Sequence, residues 1–279
     1  MLKRTLGDGA PSLSVLGLGC SRIGSFGNPA SVREIHDLFE RCIQLGVTLF
    51  DTSNVYGQGD SERAIGGALK GRREAGFVVT KLGKSFSAKA RLVRPLKPLV
   101  KALLPLRGRR SITSRREGNV GWSLRPNEVG PTLDASLRRL RFDHVDGLLL
   151  HSPPASVACD PEIADALASL RLAGKVGHYG VSCDDFSVLE AALKMPGLSL
   201  LQLPPPVLEE AAANGLADQF AERGIAVMLR QVIQLQPGLP PPQAVRRAAM
   251  IPRVTSVVVG VSNASRLEEL VAACRDLEA

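Results

Sequence analysis

Residues 145–203 read VDGLLLHSPPASVACDPEIADALASLRLAGKVGHYGVSCDDFSVLEAALKMPGLSLLQL, and the pattern of this segment indicates the fold class. Its apolar runs alternate with helical patterns, the runs at 145–151, 176–182 and 198–203 and the helices at 161–173 and 186–194. Apolar runs without polar alternation, such as GLLL and SLLQL, are typical of parallel strands that are buried on both faces. The stretch therefore predicts successive β–α units around a parallel sheet.

The same alternation extends to both ends of the chain. Further strands are predicted at residues 13–19, 47–52, 77–82, 225–229 and 256–261. Further helices are predicted at residues 32–45, 61–70, 126–140, 207–223, 242–250 and 265–277. Ser31, with Glu34 three residues later, predicts an N-terminal cap for the first of these helices, and Gly46 predicts its end.

Eight β–α units in 279 residues predict an α/β protein with a (β/α)8 TIM barrel. We expect a single domain over residues 1–279 that includes an N-terminal β-hairpin turning at residues 7–9. A doubly wound open sheet is the alternative. When such a sheet binds a nucleotide, it usually has a glycine-rich turn after its first strand. Here LGLG at residues 16–19 is followed by Cys20-Ser21-Arg22, so the GxGxxG pattern is absent.

Composition and cysteine usage favour a soluble cytoplasmic protein. Hydrophobic residues make up 44% of the chain and charged residues 22%, the balance of a globular domain. No apolar run approaches the roughly 18 residues of a membrane span, and the N-terminus lacks the apolar core of a signal peptide. The 5 cysteines include no CxxC pair and the 4 histidines show no zinc-binding spacing, so we expect reduced thiols and no metal site.

The positive charge of the chain is concentrated in one segment. The formal net charge is +8, but residues 84–116 hold 11 basic side chains and no acidic one, which leaves 24 basic against 27 acidic elsewhere. Residues 84–125 are predicted to form a long loop after the third strand. This loop could wall the active site or pack against another subunit, contact an anionic substrate or a cofactor phosphate, or bind membranes or nucleic acid. Its few aromatic residues count against base stacking, so nucleic acid is not an expected partner.

Three successive strands lead into ionisable side chains. The motifs are FDTSNVYGQGDSE at residues 50–62, VVTKLG at 78–83 and GLLLHSPP at 147–154. They place Asp51, Lys81 and His151 at strand ends and Tyr56 in the turn after the second strand. In a TIM barrel the functional groups lie at this end of the strands.

These four residue types form a chemically sensible set. A nearby ammonium favours the phenolate form of a tyrosine, and a carboxylate can hold that ammonium in place. An imidazole beside the phenol can orient a carbonyl group or relay a proton. Each residue alone also has an ordinary explanation: a turn cap, a tyrosine in a polar turn, an exposed lysine or a buried histidine. Their occurrence together at strand ends favours a catalytic group.

The same motifs resemble the aldo/keto reductase family, from LGLG at residues 16–19 to GVSNASRLEEL at 260–270. The resemblance implies a (β/α)8 barrel that binds NADP(H) and reduces an aldehyde or ketone, or oxidises the corresponding alcohol or sugar. The catalytic roles that it implies are general acid/base for Tyr56, tuning of the tyrosine pKa for Lys81, partner of Lys81 for Asp51 and substrate orientation for His151. Trp122, beyond the basic segment, is a candidate for contact with the substrate.

The resemblance also implies a set of NADPH contacts. The family motif GVSNF corresponds to GVSCDDF here, and SLLQL supplies a glutamine near the nicotinamide amide. An arginine at position 266 usually contacts the 2′-phosphate, which favours NADPH over NADH. The full set of expected cofactor contacts is Cys20, Asp51, Ser182, Cys183, Gln202, Gly260, Ser262, Asn263, Arg266 and Glu269.

The chain departs from the family pattern around the cofactor. Cys183 replaces an asparagine, Leu270 replaces another, and Pro205 and Pro206 replace an aromatic residue and an asparagine. The segment after the seventh strand, LRQVIQLQPGLPPP, is shorter than the usual glycine-rich loop. A barrel that binds a nucleotide or another ligand without redox turnover is therefore the alternative function. The expected partner is a small carbonyl or sugar substrate, and a homo-oligomer is compatible with the sequence.

Overall fold

The computed structural model describes residues 1–5, 12–25, 28, 30–86, 120–261 and 263–277. The strands are β1 (Lys3–Arg4), β2 (Leu13–Ser14), β3 (Leu16–Gly19), β4 (Leu49–Asp51), β5 (Phe77–Leu82), β6 (Lys84–Phe86), β7 (Val120–Trp122), β8 (Val145–His151), β9 (Val176–Ser182), β10 (Leu200–Leu203), β11 (Ala226–Leu229) and β12 (Ser256–Val259). Eight of them, β3, β4, β5, β8, β9, β10, β11 and β12, close into a parallel barrel in which β12 pairs back to β3. The predicted barrel is confirmed.

Helices follow the barrel strands. They are α1 (Val32–Gln44), α2 (Asp60–Ala68), α3 (Val129–Leu140), α4 (Ala155–Ala158), α5 (Pro161–Leu172), α6 (Phe186–Ala192), α7 (Pro205–Ala213), α8 (Asp218–Glu222), α9 (Pro241–Ala249) and α10 (Ala264–Ala273). The predicted cap of α1 is present: the Glu34 amide donates to Ser31 Oγ, and the Glu34 carboxylate accepts from the Ser31 amide. Gly46, with a φ of +74°, follows the end of this helix.

The structure differs most clearly from the predicted elements in three places. The strand predicted at 13–19 divides into β2, which pairs antiparallel with β1, and β3, which enters the barrel. The helix predicted at 207–223 is broken between α7 and α8, where Gly215 has a left-handed φ of +71° that ends a helix. The basic loop begins and ends in a short hairpin, because β6 pairs antiparallel with β7. Residues 87–119 of this loop and the predicted turn at 7–9 lie outside the described residues.

The barrel interior has an apolar layer in its middle and a polar layer at the C-terminal ends of its strands. Its buried apolar layer includes Leu49, Val79, Leu149 and Leu200. Side chains two residues apart on a strand point to the same face. The inward positions two residues further along these four strands are Asp51, Lys81, His151 and Gln202. Strand periodicity therefore brings the predicted site residues into one layer at the C-terminal end of the barrel.

Adjacent glycines of α2 give a test of the helix packing. A Cβ atom on Gly66 would lie 1.9 Å from the carbonyl oxygen of Leu140, whereas a Cβ atom on exposed Gly67 would meet nothing within 4 Å. We expect Gly66→Ala to lower the free energy of unfolding by about 1–3 kcal/mol, because two helices must separate. We expect Gly67→Ala to raise it by about 0.5–1 kcal/mol through helix propensity. Urea denaturation measures both, and equal effects would contradict this packing.

Candidate active site

A cavity of about 900 Å³ opens at the C-terminal ends of the barrel strands. Its lining includes four of the predicted site residues from the polar layer and from the turn after β4. They are Asp51, Tyr56, His151 and Gln202. Lys81 lies directly beneath them and is fully buried. The structure thus brings the predicted catalytic residues together in one place.

The ammonium of Lys81 is held at the centre of this group. Lys81 Nζ donates to Asp51 Oδ1 at 2.5 Å and to the carbonyl oxygen of Thr52 at 3.0 Å. It also lies 3.5 Å from the hydroxyl of Tyr56, at a loose hydrogen-bonding distance. The carboxylate and the carbonyl oxygen orient the ammonium toward the phenol, in the arrangement that the sequence predicted.

Tyr56 enters the cavity from a tight turn that requires glycine. The residue begins a one-turn 3-10 helix, Tyr56–Gln58, in which Gly57 has a φ of +58°. A Cβ atom on Gly57 would lie 2.8 Å from the carbonyl oxygen of Ile23, so the turn packs closely on the loop after β3. The Tyr56 amide donates to the carbonyl oxygen of Ser53 at 3.1 Å, which fixes the start of the turn.

Burial sets the protonation of Tyr56 and Lys81. Burial raises the pKa of Tyr56 above its ordinary value. The charge of Lys81 lowers this pKa, as the sequence predicted, but its effect is smaller than that of burial. Burial acts to lower the pKa of Lys81, but the charge of Asp51, followed by that of Tyr56, outweighs it and the pKa is raised. At neutral pH the phenol therefore keeps its proton and the ammonium keeps its charge.

His151 lies beside Tyr56 as a neutral imidazole. The two rings meet edge to face, with centroids 5.7 Å apart and an interplanar angle of 89°. His151 Nδ1 and Ser53 Oγ are 3.0 Å apart and share a hydrogen bond. Burial, followed by the charges of Lys81, Lys84 and Arg230, holds the pKa of His151 well below its ordinary value. With Nδ1 engaged, Nε2 is the nitrogen left for a ligand in the cavity.

A chain of side-chain hydrogen bonds links the other side of the layer to Asp51. Ser182 Oγ donates to Gln202 Oε1 at 3.0 Å, and Gln202 Nε2 donates to Asp51 Oδ1 at 3.0 Å. All three side chains are at least nine-tenths buried. Ser182 and Gln202 also line the cavity, so both can offer polar atoms to a ligand in it.

Comparison with known proteins identifies the family. Residues 15–239 match the sequence model of the Aldo/keto reductase family. The chain belongs to this family. It is similar to the uncharacterized oxidoreductase YqkF of Bacillus subtilis (strain 168), with 26% identity over 238 residues that cover 81% of this chain and 66% of the relative. The chain therefore spans just under two thirds of the length of that relative.

Solved structures of aldo-keto reductases share the fold. The holo form of AKR11C1 from Bacillus halodurans has a TM-score of 0.77 at 22% identity and covers 100% of this chain and 92% of that chain. An aldo/keto reductase from Klebsiella pneumoniae in complex with NADP and acetate has a TM-score of 0.67 at 18% identity, again covering 100% and 92%. Aldo/keto reductases are oxidoreductases that use nicotinamide cofactors.

The expected cofactor contacts of this aldo/keto reductase fall into three groups. Six of them line the cavity: Asp51, Ser182, Gln202, Gly260, Arg266 and Glu269. The others for which a position is described lie outside the cavity lining: Asn263 caps α10 by accepting from the Arg266 amide, and Cys20 and Cys183 are fully buried. Ser262 lies outside the described residues.

The structure places Trp122 against the backbone rather than in the described lining of this cavity. A Cβ atom on Gly83 would lie 2.6 Å from the Trp122 ring, so the indole packs directly over this glycine. Trp122 stands opposite Lys84 in the β6–β7 hairpin, and Lys84 does line the cavity. A contact between Trp122 and the substrate stays a prediction.

Three polar residues of the site, Ser53, Asp184 and Arg230, are absent from the site predicted from the sequence. Ser53, bonded to His151, lies within the motif at residues 50–62, but nothing in that motif indicates that its hydroxyl meets the histidine. Arg230 directly follows β11, so the rule that pointed to the other strand ends also applied to it. Its guanidinium forms an ion pair with Asp184 and donates to the carbonyl oxygen of Cys183 at 3.0 Å. The pair joins the ends of β9 and β11 across the cavity rim.

In the described part of the chain, no helix has the length and apolar character that crossing a membrane requires. Among the same residues, no group of three or more histidine, cysteine, aspartate or glutamate side chains is placed to hold a metal ion.

Proposed function

We propose that this aldo/keto reductase uses NADPH to reduce an aldehyde or ketone, or catalyses the reverse oxidation of an alcohol or sugar, with Tyr56 as the general acid/base. The observation that carries the proposal is the buried Lys81 ammonium, which lies 2.5 Å from Asp51 and 3.5 Å from the Tyr56 hydroxyl. An ammonium in this position stabilises the phenolate that remains after proton donation.

The chain's own residues carry the proton chemistry. Tyr56 holds its proton at neutral pH, so it can donate that proton to a carbonyl oxygen during reduction. His151 offers Nε2 to the same oxygen, because Nδ1 is engaged by Ser53. Asp51 keeps Lys81 charged and in place. When bound, the nicotinamide cofactor supplies the hydride for the carbonyl carbon.

The donor set of the cavity fits a dinucleotide. Ser182 and Gln202 present buried polar groups suited to a carboxamide. Arg266 lies in the first turn of α10, where a helix N-terminus and a guanidinium both favour a phosphate. We propose that this end of the cavity receives the 2′-phosphate of NADPH, with Glu269 one turn further along the same helix.

One observation favours the alternative, a ligand-binding barrel without turnover. Cys183 stands where the family usually has an asparagine, and its thiol is fully buried with its sulfur 4.0 Å from the carbonyl oxygen of Val181. It therefore offers no polar atom to the cavity. One contact that the family makes with the nicotinamide carboxamide is therefore absent at this position. If turnover requires this contact, the barrel binds a ligand without catalysing a reaction.

Cofactor binding and turnover separate the two functions. We expect the protein to bind NADPH in a fluorescence titration and to oxidise it in the presence of a panel of small aldehydes. NADPH binding without turnover of any aldehyde or alcohol would favour the ligand-binding barrel. Failure to bind either NADPH or NADH would contradict both the proposed reductase activity and the proposed use of NADPH.

The same titration tests Arg266. We expect Arg266→Met to weaken NADPH binding by about 10- to 100-fold, because one charge-assisted hydrogen bond to a phosphate is lost. NADH lacks the 2′-phosphate, so its affinity is the internal control and should change by less than about threefold. Equal losses for both cofactors would show that Arg266 does not read the 2′-phosphate.

We further propose a cytoplasmic location for this reductase. All five cysteines are free, and four of them are buried. Thiols that remain unpaired are typical of a reducing compartment. We also propose that residues 1–279 form a single domain and that the protein forms a homo-oligomer.

A further inference from the structure

We propose that Lys84, assisted by Arg230, binds an anionic group, a carboxylate or a phosphate, on the carbonyl substrate. This inference rests on the proposed function and adds the chemical class of the substrate to it. Both side chains line the cavity that also contains Tyr56 and His151.

Lys84 is a cation without a matching carboxylate in the described part of the cavity. It begins β6 directly beyond the end of β5, and its side chain is half-buried. Among the described residues no carboxylate lies within ion-pair distance of its ammonium, whereas Lys81 has Asp51 and Arg230 has Asp184. Within the described part of the chain, Lys84 is therefore an unmatched positive charge near the neutral His151.

The surroundings of Lys84 disfavour an unmatched charge. Burial lowers the pKa of Lys84, and the positive charges of Arg230 and Lys81 lower it further against the opposing effect of Asp184. An anion placed beside the ammonium would compensate for lost hydration and for this repulsion. Such a site gains more from an anionic ligand than an exposed lysine does, because solvent screens it less.

Arg230 is fixed in a position from which it can donate a further hydrogen bond to an anion. Its guanidinium is fixed by the ion pair with Asp184 and by donation to Gln231 Oε1 at 2.5 Å and to the Cys183 carbonyl oxygen at 3.0 Å. Ser152 Oγ donates to the same Asp184 carboxylate at 3.0 Å. A guanidinium has five N–H donors, so these bonds leave donors for an anion. The Asp184 carboxylate fixes the position of Arg230 without neutralising Lys84.

The sequence next to Lys84 supplies no compensating charge. Residues 84–116 contain only basic side chains among their charged residues. Besides burial and Lys81, the charges of Lys84 and Arg230 both lower the pKa of His151. The positive potential of these two cations therefore extends to the position where a carbonyl oxygen would meet Tyr56 and His151. A substrate with its anionic group a few bonds from its carbonyl group fits this arrangement.

Paired aldehydes test the inference directly. Succinic semialdehyde and butanal are similar in size but differ in charge, and glyceraldehyde 3-phosphate and glyceraldehyde form a second pair. We expect the wild-type protein to have a higher kcat/KM for the anionic member of at least one pair. Lys84→Met should lower the anionic-to-neutral ratio of kcat/KM by about 10- to 100-fold, the effect of one charge-assisted hydrogen bond. Lys84→Arg, which keeps the charge, should retain most of this ratio.

An anion-binding measurement gives a readout besides activity. Trp122 is the single tryptophan of the chain and stands opposite Lys84 in the β6–β7 hairpin, so its fluorescence reports on this region. We expect succinate or inorganic phosphate to change this fluorescence, with a Kd that rises at least about tenfold in Lys84→Met. Lys70→Met, at an exposed lysine beyond the end of α2, is the matched control and should bind the anion as the wild type does.

The outcomes distinguish this inference from the proposed function. If no aldehyde is reduced but anion binding depends on Lys84, the reductase proposal fails and the anion site stands. If aldehydes are reduced without charge preference and anion binding is the same in Lys84→Met, the inference is overturned and the reductase proposal stands. If Lys84→Met weakens NADPH binding while the substrate ratio stays constant, the anion belongs to the cofactor, which also overturns the inference.

Discussion

Tyr56→Phe removes a single hydroxyl group and is expected to lower kcat/KM for aldehyde reduction by about 10²- to 10⁴-fold, the usual contribution of a general acid. This loss corresponds to about 3–5 kcal/mol of transition-state stabilisation. The ring of Tyr56 packs edge to face on His151 and can keep this contact in the variant. We therefore expect the fold and NADPH binding to persist while turnover is lost.

The chain supplies a matched control for this variant. Its only other tyrosine, Tyr179, is buried and donates its hydroxyl to the carbonyl oxygen of Pro196 at 2.9 Å. Tyr179→Phe should cost about 1 kcal/mol of stability through one lost hydrogen bond, with little change in turnover. Steady-state NADPH oxidation compares the two variants. Retention of more than about a tenth of the activity in Tyr56→Phe would remove Tyr56 from the role of general acid.

The pH dependence follows from the protonation of Tyr56. Burial raises the pKa of Tyr56, so the protonated donor is present throughout the neutral range. Reduction should therefore stay level through neutral pH and decline only in alkaline solution, as the phenol ionises. Alcohol oxidation requires the phenolate and should rise over the same alkaline range.

The positions of Asp51, Lys81 and His151 could be predicted because they depend on strand geometry alone. Parallel apolar strands with helical connections predict the barrel, and a residue that ends one strand meets the residues that end its neighbours. Asp51, Lys81 and His151 each follow an inward apolar residue by two positions, so one periodicity places all three.

The contacts and the protonation states could not be predicted in the same way. Whether Lys81 or burial decides the pKa of Tyr56 depends on how completely the turn is covered, which strand patterns do not reveal. The Arg230–Asp184 pair joins the seventh and fifth barrel strands, which are not neighbours along the sheet. The hydrogen bond from Gln202 to Asp51 likewise crosses the barrel. Such pairings depend on side-chain directions that only the closed barrel defines.

Lys81→Met is expected to destabilise the fold more than Tyr56→Phe, Lys84→Met or Arg266→Met. It removes a fully buried ammonium and leaves the Asp51 carboxylate and the Thr52 carbonyl oxygen without their donor. Breaking one side of a buried ion pair costs about 3–5 kcal/mol, because the remaining charge is uncompensated. We expect the melting temperature to fall by about 6–15 °C. The pKa of Lys81 is raised, so its stabilising charge is complete at neutral pH and lost only as pH rises above about 10.

Two controls separate the buried charge from a general effect of losing a lysine. Lys175 forms an ion pair with Asp134 at 2.7 Å, but both side chains are about two-fifths exposed. Lys175→Met should therefore cost less than about 1 kcal/mol. The double variant Lys81→Met/Asp51→Asn removes both charges and should recover at least half of the stability lost in Lys81→Met.

Activity distinguishes a catalytic contribution of Lys81 from its contribution to the fold. The ammonium lowers the pKa of Tyr56 against the effect of burial, so its loss should move the ionisation of this phenol to higher pH. Tyrosinate absorbance in a Tyr179→Phe background follows Tyr56 alone, since the chain has only two tyrosines. The double variant should regain stability but not turnover, because no cation remains to stabilise the phenolate. Recovery of turnover together with stability would show that Lys81 supports only the fold, and Tyr56 would then require another cation.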